Sequence, residues 1–314
     1  LLLLCLGALS GCADGHDRPI RLGTNQWPGY ETFYLARELG LLKNQQVQLV
    51  ELASTTQTMD ALRSNRIDAA GLTLDEVLYL RSEGLDLVVV FITNISQGAD
   101  ALLARPDIPG IQELSELCGR RVGVEYTALG AFILDTALER AGLRRRDIVS
   151  VFLPINEHLD AFRQGRVDAL VTFDPARQIL LKEGARLLFD SSQMPGQVVD
   201  VLAVRRELLH TEPEQLRSLL KAQQQALAYL KQQPDKAHKL MASRLGMSQH
   251  ELKQSFTAMV LPDRAENLRL LTGPTPELGA TAGLMAQVMH KRGLLRTLPD
   301  LSGLIDTSLI EVKP

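Results

Sequence analysis

The sequence predicts an α/β protein of two lobes, each a parallel-rich sheet with flanking helices, joined by a two-segment hinge. Three observations carry that expectation. A segment returns one hundred positions later, Ala61-Leu62-Arg63-Ser64-Asn65-Arg66-Ile67-Asp68-Ala69 recurring as Ala161-Phe162-Arg163-Gln164-Gly165-Arg166-Val167-Asp168-Ala169. Around each copy, strand-like runs alternate with helix-like stretches, which calls for parallel strands and helical crossovers. The length of 314 residues holds about two domains at roughly 150 residues each.

Composition narrows the function classes. Hydrophobic residues make up 45% and charged residues 23% of the chain, ordinary for a packed globular protein. Lys+Arg 34 against Asp+Glu 37 leaves a formal charge of −3, without the basic excess that phosphate recognition requires, so nucleic acid is not an expected partner. Three cysteines make neither a disulfide scaffold nor a metal-ligand spacing, and no cofactor motif is present.

Residues 1–18 read as a lipoprotein signal peptide and tether. Leu1 to Leu9 is too short to span a bilayer and suits a signal-peptide core. It lacks an initiator Met and a basic flank, so the start reads as truncated. Leu9-Ser10-Gly11-Cys12 has the pattern of a lipobox, with Cys12 as the lipidated residue and a monomer tethered to the inner or outer membrane on its periplasmic side. Once that segment is processed, Cys118 remains alone and no internal disulfide forms.

In each half a strand (Ile20–Thr24; Arg121–Val124) leads through a polar loop to a helix closed by Gly40 or Gly142, where positive φ is tolerated. A second strand (Gln46–Leu52; Ile148–Leu153) precedes a helix ending at Asn65 or Gly165, and a third, buried strand starts at Ile67 or Val167. Leu85–Thr93 and Val198–Val204 read as the strands carrying the chain between lobes. Lobe one then comprises 19–97 plus 200–314, and lobe two 98–199. Beyond Arg206 the pattern is helical. Thr211-Glu212-Pro213-Glu214 predicts a capping box, Leu216, Leu219, Leu220, Leu227 and Leu230 form an apolar stripe, and Ser248 with Glu251 predicts a second box.

Ligands of open parallel sheets bind beyond the carboxyl ends of the strands. That rule nominates Asn25, Gln26, Trp27 and Tyr30 in one loop, Ser54, Thr55 and Thr56 in the next, then Thr73 and Asp75, with Asn94, Ser96 and Asp100 from the hinge. Lobe two contributes Glu125, Tyr126, Thr127, Asn156 and Asp174. Trp27, the only tryptophan, sits in a polar turn and suits a ligand-facing aromatic plate. The hydroxyls at 54–56 precede a helix and suit capping or an anionic ligand group. Asp75, Glu125 and Asp174 carry negative charge into the same loops while no Arg or Lys does, which favours an amine or a protonated ring nitrogen. His158, His210, His238, His250 and His290 fall in or next to helical surface segments, and no catalytic triad, phosphate loop or metal cluster is visible.

Arg21-Leu22-Gly23 with the Trp27 loop, Tyr34-Leu35-Ala36-Arg37, Ala61–Ala69, Leu114–Val124 and Gly165–Ala169 with Phe173-Asp174-Pro175 together resemble the bacterial solute-binding proteins of the taurine, sulfonate, nitrate and thiamine-precursor group. The resemblance spans about residues 20–230, with Cys118 departing from the pattern. It implies a type II-like periplasmic-binding-protein fold and a solute-binding component of an ABC importer, partnered with an inner-membrane permease. The expected ligand is a small polar organic solute, amine-bearing, N-heterocyclic or sulfonate-like. A periplasmic sensory accessory reporting to a membrane receptor is the alternative. The group's pyrimidine synthases use a cysteine-rich segment that is missing here, so no enzymatic activity is expected.

Overall fold

The computed structural model describes residues 18–43, 46–125 and 128–310. The expectations for Cys12, Tyr126 and Thr127 therefore lie outside the described residues. In the first half β1 (Ile20–Thr24), α1 (Glu31–Glu38), β2 (Val47–Glu51), α2 (Thr55–Arg63), β3 (Ala69–Thr73) and α3 (Leu74–Ser82) follow one another, and β4 (Leu87–Ser96) leaves for the second half. There β5 (Asp100–Ala104) precedes β6 (Arg121–Val124), α4 (Ala128–Arg140), β7 (Val149–Phe152), α5 (His158–Arg163), β8 (Ala169–Phe173), α6 (Ala176–Lys182) and β9 (Arg186–Asp190). The chain returns through β10 (Val199–Arg205). It ends in α7 (Leu208–Thr211), α8 (Pro213–Gln232), α9 (Pro234–Ala242), α10 (Gln249–Thr257), β11 (Met259–Val260), α11 (Arg264–Leu271) and α12 (Glu277–Lys291).

Two sheets result, ordered β11-β4-β10-β3-β1-β2 and β7-β6-β8-β5-β9. Each has a parallel trio, β2-β1-β3 or β7-β6-β8, as the alternating pattern predicts. The remaining pairs are antiparallel, so both sheets are mixed. The cause is topological. β5 arrives directly from β4 of the other sheet and β10 directly from β9, so each enters against the run of β8 or β3. The two crossings are tied together where they meet: Ser96 N–H donates to Val198 O at 2.9 Å, and Gly98 N–H donates to Ser191 Oγ at 2.7 Å.

The internal repeat is a structural one. Leu22 pairs with Ala69 in one sheet and Val122 with Ala169 in the other. In both, an Asp after the second helix clamps an Arg at the start of the first strand. Arg21 N–H and Nη2 donate to Asp68 at 3.0 and 2.7 Å, and Arg121 N–H and Nη2 donate to Asp168 at 2.8 and 2.6 Å. Arg63 pairs with Glu83 as Arg163 does with Glu183. Asn65 and Gly165 both take left-handed φ, at 55° and 69°, ending the helices where expected.

The C-terminal helices pack on the first sheet's lobe. Leu216, Leu219, Leu220, Leu227 and Leu230 of α8 are all buried, as their spacing requires, and Ser248 with Glu251 forms the anticipated box at the start of α10. The box expected at Thr211 is absent. Thr211 ends α7, its hydroxyl donating back to Glu207 O, and Pro213 starts α8. Proline supplies the helix start there without a side-chain cap, because its fixed φ suits the first turn.

Candidate functional site

The loops beyond the parallel strands meet in a cleft between the sheets, and the cleft is shut. From lobe one, Thr56 donates its backbone N–H and its hydroxyl to Glu125 Oε1 of lobe two at 3.0 and 2.7 Å. Trp27 meets Phe173 edge to face with ring centroids 5.6 Å apart. On another rim, Ser255 of α10 donates to Asp174 Oδ2 at 2.7 Å, and Gln178 of α6 donates to Ser255 Oγ at 2.7 Å and to Asp174 at 2.8 Å. Lys182 pairs with Glu251 beside them. Arg292 of α12 reaches Glu139 and lies over Phe132 of α4.

Among the described residues, two adjoining cavities lie behind these contacts, each about 20 Å³, room for roughly one water molecule. The first is lined by Asn25, Trp27, Tyr30, Thr73 and Asp200; the second by Glu125, Ile133, His158 and Thr172. Thr55, Glu76, Asp100, Leu129 and Phe173 border both.

The Trp27 loop is built by local hydrogen bonding and by glycine. Asn25 accepts from Trp27 N–H at 3.0 Å and donates to Thr55 Oγ1 at 2.7 Å, and the indole N–H reaches Asn94 at 3.3 Å. A Cβ on Gly29 would lie 2.1 Å from the Asn94 amide and 2.3 Å from the indole nitrogen, so only glycine lets that bond form over the backbone. Gly71 likewise lies flat under the Tyr30 ring, where a Cβ would approach to 2.8 Å. Tyr30 then donates its hydroxyl to Asp200 Oδ1 at 2.5 Å.

Several expected residues sit elsewhere. Gln26 and Asn156 are exposed and line neither cavity. Ser54 is the N-cap of α2, accepting from Gln57 N–H, and Thr56 bridges the lobes. Asn94 is buried and accepts from the Trp27 indole N–H, bordering neither cavity. Asp75 is the second residue of α3, wholly buried, and borders neither cavity; Thr73 occupies the cap position instead. Asp174 is spent on Gln178, Ser255 and Arg177, so its charge is already matched by Arg177 within its own lobe.

Two cavity carboxylates, Glu76 and Asp200, and the histidine His158 escaped the expected site, whereas the hinge residue Asp100 was nominated and lines both cavities. Glu76 lies one residue past the nominated loop and accepts from Thr73 N–H at 3.0 Å. Asp100 and Asp200 stand at the starts of β5 and β10. The signal for Asp200 was present: an Asp at the start of an apolar run, one hundred positions after Asp100. His158 and His238 are buried rather than on helix surfaces. His158 sits between Leu153 O and Thr172 Oγ1, both at 3.0 Å, and burial pushes its pKa down to about 4, so it stays neutral.

Electrostatically the site is acidic. Burial pushes Asp100 up to about 7, and Asp75 up to about 7 as well. Burial, reinforced by neighbouring acids, holds Glu76 and Asp200 well above the usual carboxylate range. Burial also raises Glu125, against the hydrogen bonds from Thr56. No Lys or Arg borders either cavity, and among the described residues no three His, Cys, Asp or Glu converge to hold a metal ion. Nor, among those residues, is any helix long and apolar enough to cross a membrane.

This architecture has known counterparts. An aliphatic sulfonates-binding protein of Escherichia coli (strain K12) is 25% identical over 250 residues, covering 78% of this chain and 77% of that protein. The solved alkanesulfonate-binding protein SsuA from Xanthomonas axonopodis pv. citri, bound to MOPS, superposes with a TM-score of 0.80 at 19% identity, over 92% of this chain and 98% of that one. A mutant of the desulfurization enzyme DszB, in complex with biphenyl-2-sulfinic acid, shares the fold at a TM-score of 0.68 and 20% identity, over 94% and 98% of the two chains. The sequence profile of the NMT1-like family matches residues 13–246, most of the chain, which therefore belongs to that family and has the two-lobed fold of periplasmic binding proteins.

Proposed function

We propose that this chain is the solute-binding component of an ABC importer, a membrane-tethered periplasmic protein whose lobes, 19–97 plus 200–314 and 98–199, close on a small polar organic ligand. The observation that carries this reading is the set of contacts across the cleft, Thr56 to Glu125 and Trp27 to Phe173, which only a closed arrangement makes. A solute that touches both lobes stabilises closure by its differential contact with the two states, and a permease then distinguishes loaded from empty protein. In this reading Asn25, Trp27, Tyr30, Thr55 and Thr73 contact the ligand from lobe one and Glu125 from lobe two, while Cys12 carries the lipid anchor.

Binding without catalysis is the reading the cleft favours. Its histidine is neutral and already bonded on both nitrogens, and Cys118 is exposed beside the start of β6. A solute screen by thermal shift tests the proposal, since binding to the folded state alone contributes about 2.7 kcal/mol at one hundred times Kd. A stabilising solute should also change the emission of Trp27, and Trp27→Ala should abolish that change and weaken binding about tenfold or more. Unchanged affinity in the variant removes Trp27 from the site. Loss of uptake of that solute on deletion of the protein supports import; intact uptake with loss of a cellular response supports a sensory role instead.

A further inference from the structure

The offset that relates the two lobes also relates two buried carboxylates in the cleft. Asp100 opens β5 opposite Phe173, and Asp200 lies in β10 opposite Thr73. Each strand has just crossed from the other lobe, so duplication has delivered one carboxylate to the cavity from each sheet. Glu76 and Glu125 bring the number of acidic residues lining the two cavities to four. They are not equally occupied. Asp200 accepts from the Tyr30 hydroxyl, Glu76 from Thr73 N–H and Glu125 from Thr56, whereas Asp100, although Ser96 bonds to its carboxylate, keeps Oδ2 buried with no hydrogen-bond partner. A buried acceptor left unmatched is costly, and a ligand that supplies a donor removes the cost.

The surroundings select the charge of that donor. Arg177, whose charge reaches Asp100, is bonded to Asp174 and borders neither cavity. A cation placed here offsets the burial that holds these acids towards their protonated form, whereas an oxyanion would add negative charge among four acids with no lining cation. Trp27, Tyr30 and Phe173 supply aromatic surface beside the acids, the combination that holds an ammonium or a protonated heterocycle through charge and ring quadrupole together. A bare metal ion fits less well, because the acids are spread around the space and no three His, Cys, Asp or Glu among the described residues converge on one point.

We propose that the cleft, parted beyond its present two water-sized cavities, takes an organic cation, a small amine or protonated N-heterocycle, with its nitrogen donating to Asp100 and its apolar body against Trp27 and Phe173. This rests on the solute-binding reading above and assigns the ligand a charge opposite to that of the sulfonates named for the relatives.

The test is a matched charge series followed through Trp27 emission and thermal shift on the full chain. Benzylamine, benzyltrimethylammonium and benzamidine form the cationic set, benzyl alcohol and benzamide the neutral set, and phenylmethanesulfonate, benzoate and MOPS the anionic set. Members of the cationic set should bind, and the others should bind at least tenfold more weakly. Asp100→Asn should weaken the cations about tenfold or more without moving the others, and Asp200→Asn serves as the second variant should the first not fold. Preferential binding of the anionic or neutral set, with a Trp27 response, keeps the cleft as the site and overturns its charge assignment. No response from any of the three sets overturns the charge assignment and the cleft reading together.

Discussion

Asp68 and Asp168 each hold two parallel strands of one lobe in register with a single carboxylate. Each accepts from a backbone N–H and from the guanidinium of the same arginine, a pair of charge-assisted contacts on the edge of a buried strand. Burial pushes both pKa values up, but the arginine's hydrogen bonds outweigh it and both end below the ordinary carboxylate range. The sign follows: their stabilisation is present above about pH 4 and fades as the pH falls further, when the carboxylate protonates. Asp68→Ala leaves the Arg21 N–H without its acceptor and should cost about 2–3 kcal/mol in urea unfolding. Asp168→Ala should cost a similar amount in the second lobe. A loss below about 0.5 kcal/mol in both would mean that the clamp is ornamental. These residues were legible beforehand as the repeated "Arg…Asp-Ala" pattern, though their partnership required the fold.

At the scale of elements, α10 and α6 face each other across the rim, and the small network of Asp174, Gln178 and Ser255 joins them. All three side chains are at most 6% exposed, so each bond is made away from competing water. Because one partner comes from each lobe, the network exists only when the lobes are together. Ser255→Ala removes its central donor and acceptor while leaving Asp174 bonded to Gln178 and Arg177. It should weaken ligand affinity about three- to tenfold through the closing equilibrium, leaving the melting temperature nearly unchanged, as measured by isothermal titration and thermal unfolding. A stability loss without an affinity loss would make the contact structural instead. No sequence pattern announced this latch. Asp174-Pro175 reads equally well as a turn, and Ser255 is separated from it by eighty-one positions and a change of lobe. Strand order was legible for the same reason in reverse: the parallel trios follow from local alternation, whereas the antiparallel entry of β5 and β10 depends on the route between lobes.

At the scale of the whole molecule, the proposed closing of the lobes couples to charge. Shutting the cleft buries Asp100 and Asp200, whose raised pKa values register the cost of enclosing a carboxylate without a cation. For a group raised in this way, the closed form is unpenalised below its ordinary pKa near 4. The penalty grows as the pH rises from there to about 7, where the buried Asp100 itself ionises, and is constant above. Ligand-free protein should thus be more open at pH 8 than at pH 5.5. Fold and repeat were readable from alternation, glycine and asparagine stops, and the Ala61–Ala69 motif. The site was readable only in outline, since loops after strands locate a cleft but do not say which carboxylates face it and which, like Asp174, are already paired. Small-angle X-ray scattering at pH 8, before and after saturation with a stabilising solute, tests most directly whether two lobes close on a ligand. The account predicts a fall in the radius of gyration on saturation; an unchanged curve at full occupancy would contradict it.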